Sequence, residues 1–92
     1  MPTKILVADD SATMRRVLEM TFAGEDASVV SVDSGDAALN KVGEFGPDIV
    51  FVDAALEGTD GYEVTRRIKA QHSKVAVIVM ASQHHPYDDG KG

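Results

Sequence analysis

Four short, largely β-branched apolar runs punctuate the chain, at Lys4–Ala8, Ser28–Val32, Asp48–Val52 and Val75–Ala81. The first is continuous rather than alternating, which is how a strand covered on both faces reads, and Ser28–Val32 is the weakest of the four. Between them, apolar residues recur every three or four positions, the period of an amphipathic helix. Ser11 caps a first helix whose inner stripe is Met14, Val17, Leu18 and Phe22, with Arg15, Arg16 and Glu19 turned outward and Gly24 at its end. Ser34 caps a second through Ala38, Leu39 and Val42, which Gly43 and Gly46-Pro47 stop. A third carries Tyr62, Val64 and Ile68, with Arg66, Arg67 and Lys69 on its wet side and His72 exposed at its end. Strands alternating with helices of this length predict right-handed crossovers and a three-layer α/β fold, a parallel sheet with helices on both faces.

The remaining composition narrows the function classes. A length of 92 residues admits one domain, since domains run to roughly 100–200 residues. The predicted domain is 1–82, followed at 83–92 by a polar tail without periodicity. With no cysteine there is neither a disulfide framework nor a thiolate metal site, which suits a reducing cytoplasm. No apolar stretch approaches the roughly 20 residues of a membrane helix, and no basic-then-apolar leader opens the chain. Fifteen acidic against nine basic side chains, the latter scattered, disfavour nucleic-acid binding.

The acids are not spread evenly. Asp9 and Asp10 follow the first strand and Asp53 follows the third, while Ser82 follows the fourth. In open parallel sheets, ligands sit beyond the carboxyl ends of the strands. If the first and third strands are neighbours, three carboxylates share one cleft and repel unless a cation screens them or a proton is retained. A hard divalent ion answers this, and Mg²⁺ favours a few carboxylates with waters and phosphate oxygens. Taken singly, each acid also reads as a helix cap or a turn residue.

Several segments together resemble the receiver domain of two-component response regulators. They are Asp9-Asp10-Ser11 after Ile5-Leu6-Val7-Ala8, then Ser34-Gly35-Asp36-Ala37-Ala38-Leu39, Pro47-Asp48-Ile49-Val50-Phe51-Val52-Asp53, and Asp60-Gly61-Tyr62-Glu63. The resemblance runs from Lys4 to about Ser82 and implies a flavodoxin-like doubly wound sheet in the order 2-1-3-4, with the fifth strand missing. It implies that Asp53 accepts a phosphoryl group from a phosphohistidine on a sensor histidine kinase or phosphotransfer protein. It also implies that Asp10, Asp53 and the Ala55 carbonyl bind Mg²⁺ directly, that Asp9 reaches the ion through water, and that Ser82 is the switch hydroxyl. A downstream output protein or domain would read the phosphorylated surface, and the only reaction catalysed would be the chain's own phosphorylation and dephosphorylation.

The chain departs from that family's pattern in places. Leu56-Glu57 stand where Met-Pro is usual, which removes a fixed φ and adds a charge. Ala55 has no side chain to orient an attacking water, so slow self-dephosphorylation is expected. Ala81-Ser82 reverse the usual order, and a one-residue slip in a strand turns a side chain to the other face. His84-His85 read as solvated loop histidines rather than metal ligands, His84 overhanging the cleft if Ser82 is the switch hydroxyl, and Lys91 is not assigned the family's phosphate-contacting role. No further helix, fifth strand and final helix can be placed, so the apolar run Val75–Ala81 is expected to leave an open edge; either the 92 residues are a fragment of a longer polypeptide, the favoured expectation, or pairing with a second copy covers that edge. Two other readings stay open: an assembly module with a residual acid cluster, and a Mg²⁺-dependent phosphohydrolase on a similar sheet.

Overall fold

The computed structural model describes residues 2–56 and 60–80. Four strands, β1 (Thr3–Ala8), β2 (Ala27–Val32), β3 (Ile49–Asp53) and β4 (Ala76–Met80), alternate with three helices, α1 (Ala12–Thr21), α2 (Gly35–Phe45) and α3 (Gly61–Gln71). All strand pairs are parallel and the sheet order is β2-β1-β3-β4, the three-layer doubly wound arrangement expected. Strand order reverses at β1: the chain steps from β1 to β2 on one side, then crosses to β3 and β4 on the other. Right-handed crossovers therefore place α1 on one face and α2 with α3 on the opposite one.

The two faces are unequally covered. Under α2 and α3 lies the core: Leu6 and Ala8 from β1, Val50 and Val52 from β3, Ala38 and Val42 from α2, Val64 and Ile68 from α3, and Leu56 from the loop after β3. Burying each large aliphatic of this set contributes about 1.5–3 kcal/mol. Among the described residues the other face is covered by α1 alone, which packs over β2 and β1. Ile5 and Val7 are buried there, Phe22 meets Phe51 at 5.8 Å between ring centroids, and toward β4 the cover ends, leaving Ile78 46% exposed.

That asymmetry corrects several expectations. Val17, expected in the inner stripe, is 46% exposed, because Met14, Leu18 and Phe22, spaced by four, already span the surface α1 meets and nothing described flanks it. Tyr62 is 64% exposed; two residues turn a helix by about 200°, so it stands opposite Val64. Arg15 and Glu19 are not turned to solvent: Arg15 Nη1 donates to the Asp9 carbonyl at 2.6 Å, and Glu19 accepts from Ser31 Oγ at 2.6 Å. Gly43 lies inside α2, which ends at Gly46 in the left-handed region, φ 64°. His72 is the half-buried C-cap of α3, its N–H donating to Ile68 O at 2.7 Å, rather than an exposed end residue. Asp53 is the last residue of β3, paired with Met80, rather than the first beyond it.

The expected helix caps are in place. Ser11 Oγ accepts the Met14 N–H and Ser34 Oγ accepts the Ala37 N–H, each at 3.2 Å. Side-chain acceptors of this kind satisfy amide groups that the first helical turn leaves unpaired.

Candidate functional site

Because β1 and β3 are adjacent and in register, Ala8 opposite Val52, the residues leaving their carboxyl ends meet. Asp9, Asp10 and Asp53 each offer a carboxylate oxygen, and these oxygens lie within 4.8 Å of one another. Asp9 is 2% exposed and Asp53 3%, whereas Asp10 is exposed. Burial of that degree is unusual for a carboxylate unless it is paired or hydrogen-bonded.

Local turns hold two of the three in place. Asp9 Oδ1 accepts the Ser11 N–H at 2.9 Å and Asp53 Oδ1 accepts the Ala55 N–H at 3.0 Å, the Asx-turn pattern in which an acid bonds the backbone two residues on. The Asp9 N–H donates to Val32 O at 3.1 Å, and the Ala54 N–H donates to Met80 O at 2.9 Å. Both acids are thus anchored to the neighbouring strand. Among the described residues, none of the three makes an ion pair; the ion pairs present join Lys41 to Glu44, and Arg66 and Arg67 to Glu63.

Burial raises the pKa of Asp9 above its ordinary value; the Ser11 N–H opposes that shift, while the neighbouring Asp53 and Asp10 charges add to it. A site in which like charges are concentrated, two of them buried, and in which no described basic side chain pairs with them, is chemically suited to a cation. Its donors are all hard oxygens, the set that Mg²⁺ takes. The residues present therefore fit the ion that the acid pattern predicts.

A glycine completes the pocket wall. Gly61, the first residue of α3, is buried, and its N–H donates to Ala54 O at 3.1 Å. A Cβ there would run into the Asp53 carbonyl and stand 2.8 Å from Ala54 Cα. Glycine is required so that α3 can start against the strand end carrying Asp53. Asp60 caps the helix beside it, Oδ1 accepting the Tyr62 N–H at 2.8 Å. In the sequence, Gly61 stands out only within the resemblance; its own signal is a glycine at the first turn of a helix pattern, where alanine would otherwise serve. The contact of Arg15 with the Asp9 carbonyl has no sequence signal of its own, and Arg15 was expected to face water. Of the remaining site residues expected, Ala55 is exposed and adjacent to Asp53, and Leu56 is buried in the core. Glu57, Ala81, Ser82, His84, His85 and Lys91 lie outside the described residues.

The fold, the strand order and the acid group at the carboxyl ends of β1 and β3 agree with a direct family match: residues 5–91 match the response regulator receiver domain. The chain belongs to that family. Receiver domains bind Mg²⁺ at an acidic pocket and act in two-component signalling. Transcriptional regulatory protein ResD of Bacillus subtilis is 37% identical over 79 residues, covering 86% of this chain and 33% of ResD. PilG of Pseudomonas aeruginosa is 33% identical over 91 residues, covering 97% of this chain and 67% of PilG. The chain thus spans a third of the one relative and about two thirds of the other. The DrrB receiver domain of Thermotoga maritima, solved in a beryllofluoride-activated form, superposes with a TM-score of 0.80 at 26% identity, over 99% of this chain and 73% of that one. Among the described residues, no helix is long and apolar enough to cross a membrane.

Proposed function

We propose that this receiver takes a phosphoryl group onto Asp53 from a phosphohistidine of a sensor histidine kinase or phosphotransfer protein in the cytoplasm. The observation that carries the reading is the convergence of Asp9, Asp10 and Asp53, two of them buried, at the ends of two adjacent parallel strands. A carboxylate oxygen of Asp53 attacks phosphorus in line, the P–N bond breaks, and the bonding pair goes to the imidazole nitrogen, which leaves as neutral imidazole because the ring's other nitrogen already carries a proton. The protein's part is positioning. The Ala55 N–H, bonded to Asp53 Oδ1, fixes the nucleophile's orientation, and the turn at Gly61 keeps space beside it.

Asp10, Asp53 and the Ala55 carbonyl would hold Mg²⁺, with Asp9 reaching it through water. When bound, the ion neutralises the charge that the carboxylates and the phosphoryl oxygens accumulate. Ser82 would supply the hydroxyl that engages the new phosphoryl group. A local gain of charge then reorders the surface read by an output protein or domain. Catalysis is confined to the domain's own phosphorylation and dephosphorylation, and Ala55, lacking a side chain that could orient water, makes the latter slow.

Incubation with acetyl phosphate and Mg²⁺, followed by intact-mass measurement, tests this reading. One phosphoryl group is expected on the wild type and none on Asp53→Asn. Continuous release of inorganic phosphate would favour a hydrolase instead.

One observation favours a second role beside the first. Among the described residues β4 is an edge strand without a charged residue, and Ile78 on it is 46% exposed, a combination prone to pairing with a second copy. Size measurement at high concentration decides it, a clean monomer excluding the dimer.

A further inference from the structure

Arg15 occupies an unexpected place. Its Nη1 donates at 2.6 Å to the carbonyl of Asp9, six residues back, so the side chain runs toward the helix N-terminus, as Cα–Cβ vectors in helices direct. That carbonyl belongs to the peptide joining Asp9 to Asp10, the two acids of the cluster that are neighbours in sequence. The guanidinium also lines an open groove of about 320 Å³ with Ser31, Val32, Asp33 and Ala37, between α1, the end of β2 and the start of α2.

Of the other polar groups of Asp9, the N–H is held by Val32 O and Oδ1 by the Ser11 N–H. The carboxylate of Asp10, in contrast, makes no hydrogen bond among the described residues. Where it stands depends on the orientation of the peptide before it, and Arg15 fixes that peptide. A cation in the first turn of a helix is opposed by the helix dipole, so helix stability does not account for its position.

We infer that Arg15 is a positioning residue for the proposed Mg²⁺ site: by clamping the Asp9–Asp10 peptide it sets the Asp10 carboxylate for the ion. This rests on the reading of Asp9, Asp10 and Asp53 given above. The expected effect is opposite in sign to simple electrostatics. Removing a positive charge held on the Asp9 carbonyl, close to the acid cluster, would by itself strengthen binding of a cation, whereas loss of the clamp weakens it. Groups that orient metal ligands from behind typically contribute about 10–100-fold to affinity.

The test is calorimetric titration of the 92-residue chain with MgCl₂, using wild type, Arg15→Met and Arg15→Lys, with urea unfolding of each alongside. Met keeps the apolar stem and the helix propensity, so folding should survive. The expected result is Mg²⁺ affinity about 10-fold weaker in Arg15→Met, largely restored in Arg15→Lys, which returns a donor to the carbonyl. The backbone amide resonance of Asp10 in metal-free protein should move in Arg15→Met and return toward wild type in Arg15→Lys. Wild-type binding with unchanged or tighter binding by Arg15→Met overturns this inference alone. So does a Lys variant no better than the Met variant, which is the deciding comparison if Arg15→Met is poorly folded. No Mg²⁺ binding by the wild type overturns the site and this inference together.

Discussion

Asp48 and Asp53 flank one strand five residues apart and are put to opposite uses. At the amino end of β3, Asp48 Oδ2 accepts the Lys4 N–H at 2.8 Å, its own N–H donates to Lys4 O at 2.8 Å, and its carbonyl accepts the Ala76 N–H at 3.1 Å. It is a staple tying β1, β3 and β4 together, and its carboxylate stays exposed to water. At the carboxyl end, Asp53 is 3% exposed and faces two more carboxylates. Each carboxylate accepts one backbone N–H, so what separates the structural acid from the reactive one is burial and the company of like charges.

The largest effect expected on folding comes from closing the space behind Asp53. Gly61→Ala places a Cβ against backbone, which cannot yield as a side-chain tip can, and should cost about 3 kcal/mol or more in urea unfolding. No equivalent constraint exists at Asp48.

Mg²⁺ should separate the two ends next. At a concentration about 100 times its dissociation constant, a ligand that binds only the native state stabilises by about 2.7 kcal/mol. A rise in Tm on adding Mg²⁺ is therefore expected for the wild type and for Asp48→Asn, and is expected to vanish in Asp53→Asn.

In metal-free buffer the order of harm reverses. Asp48→Ala should cost about 1 kcal/mol for the lost hydrogen bond to the Lys4 amide, while Asp53→Asn should cost nothing or stabilise by relieving repulsion. Denaturant midpoints of the two variants check this.

The smallest effect is the pH dependence, where two acids act with opposite sign. Asp9 holds its proton more firmly in the folded chain than its ordinary value of 3.8 implies, because of burial. Between that value and the raised one, the native state binds more protons than the unfolded chain, so metal-free stability falls as pH rises through the window. Glu63 is held below its ordinary 4.5 by hydrogen bonds from Arg66 and then Arg67; its contribution is present above that value and lost as pH falls through the depressed one. These pairs lie at the surface, where water screens them, so their share should be close to undetectable. Chemical denaturation from pH 3.8 upward, with and without Mg²⁺, is expected to show the Asp9 decline only when the ion is absent.

What could be read from the sequence follows the same division. Asp9, Asp10 and Asp53 were legible because each ends a continuous apolar run, and parallel strands bring such ends together. The caps Ser11 and Ser34 were legible because capping is local. Strand order was not contained in the periodicity and came from the resemblance. Val17 was misplaced because a period reports which residues share a helix face, not whether another layer covers it. The roles of Arg15 and Gly61 were hidden because they depend on contacts made only in the folded chain, with the Asp9 carbonyl six residues away and with the backbone of Asp53 and Ala54.

Where the phosphoryl group goes is the most direct test of the acid cluster's role. Wild type, Asp53→Asn and Asp48→Asn, each treated with acetyl phosphate and Mg²⁺ and mapped by peptide mass spectrometry, should give a single modification on Asp53 in the wild type and in Asp48→Asn, and none in Asp53→Asn. Labelling that survives in Asp53→Asn, or that requires Asp48, would contradict it.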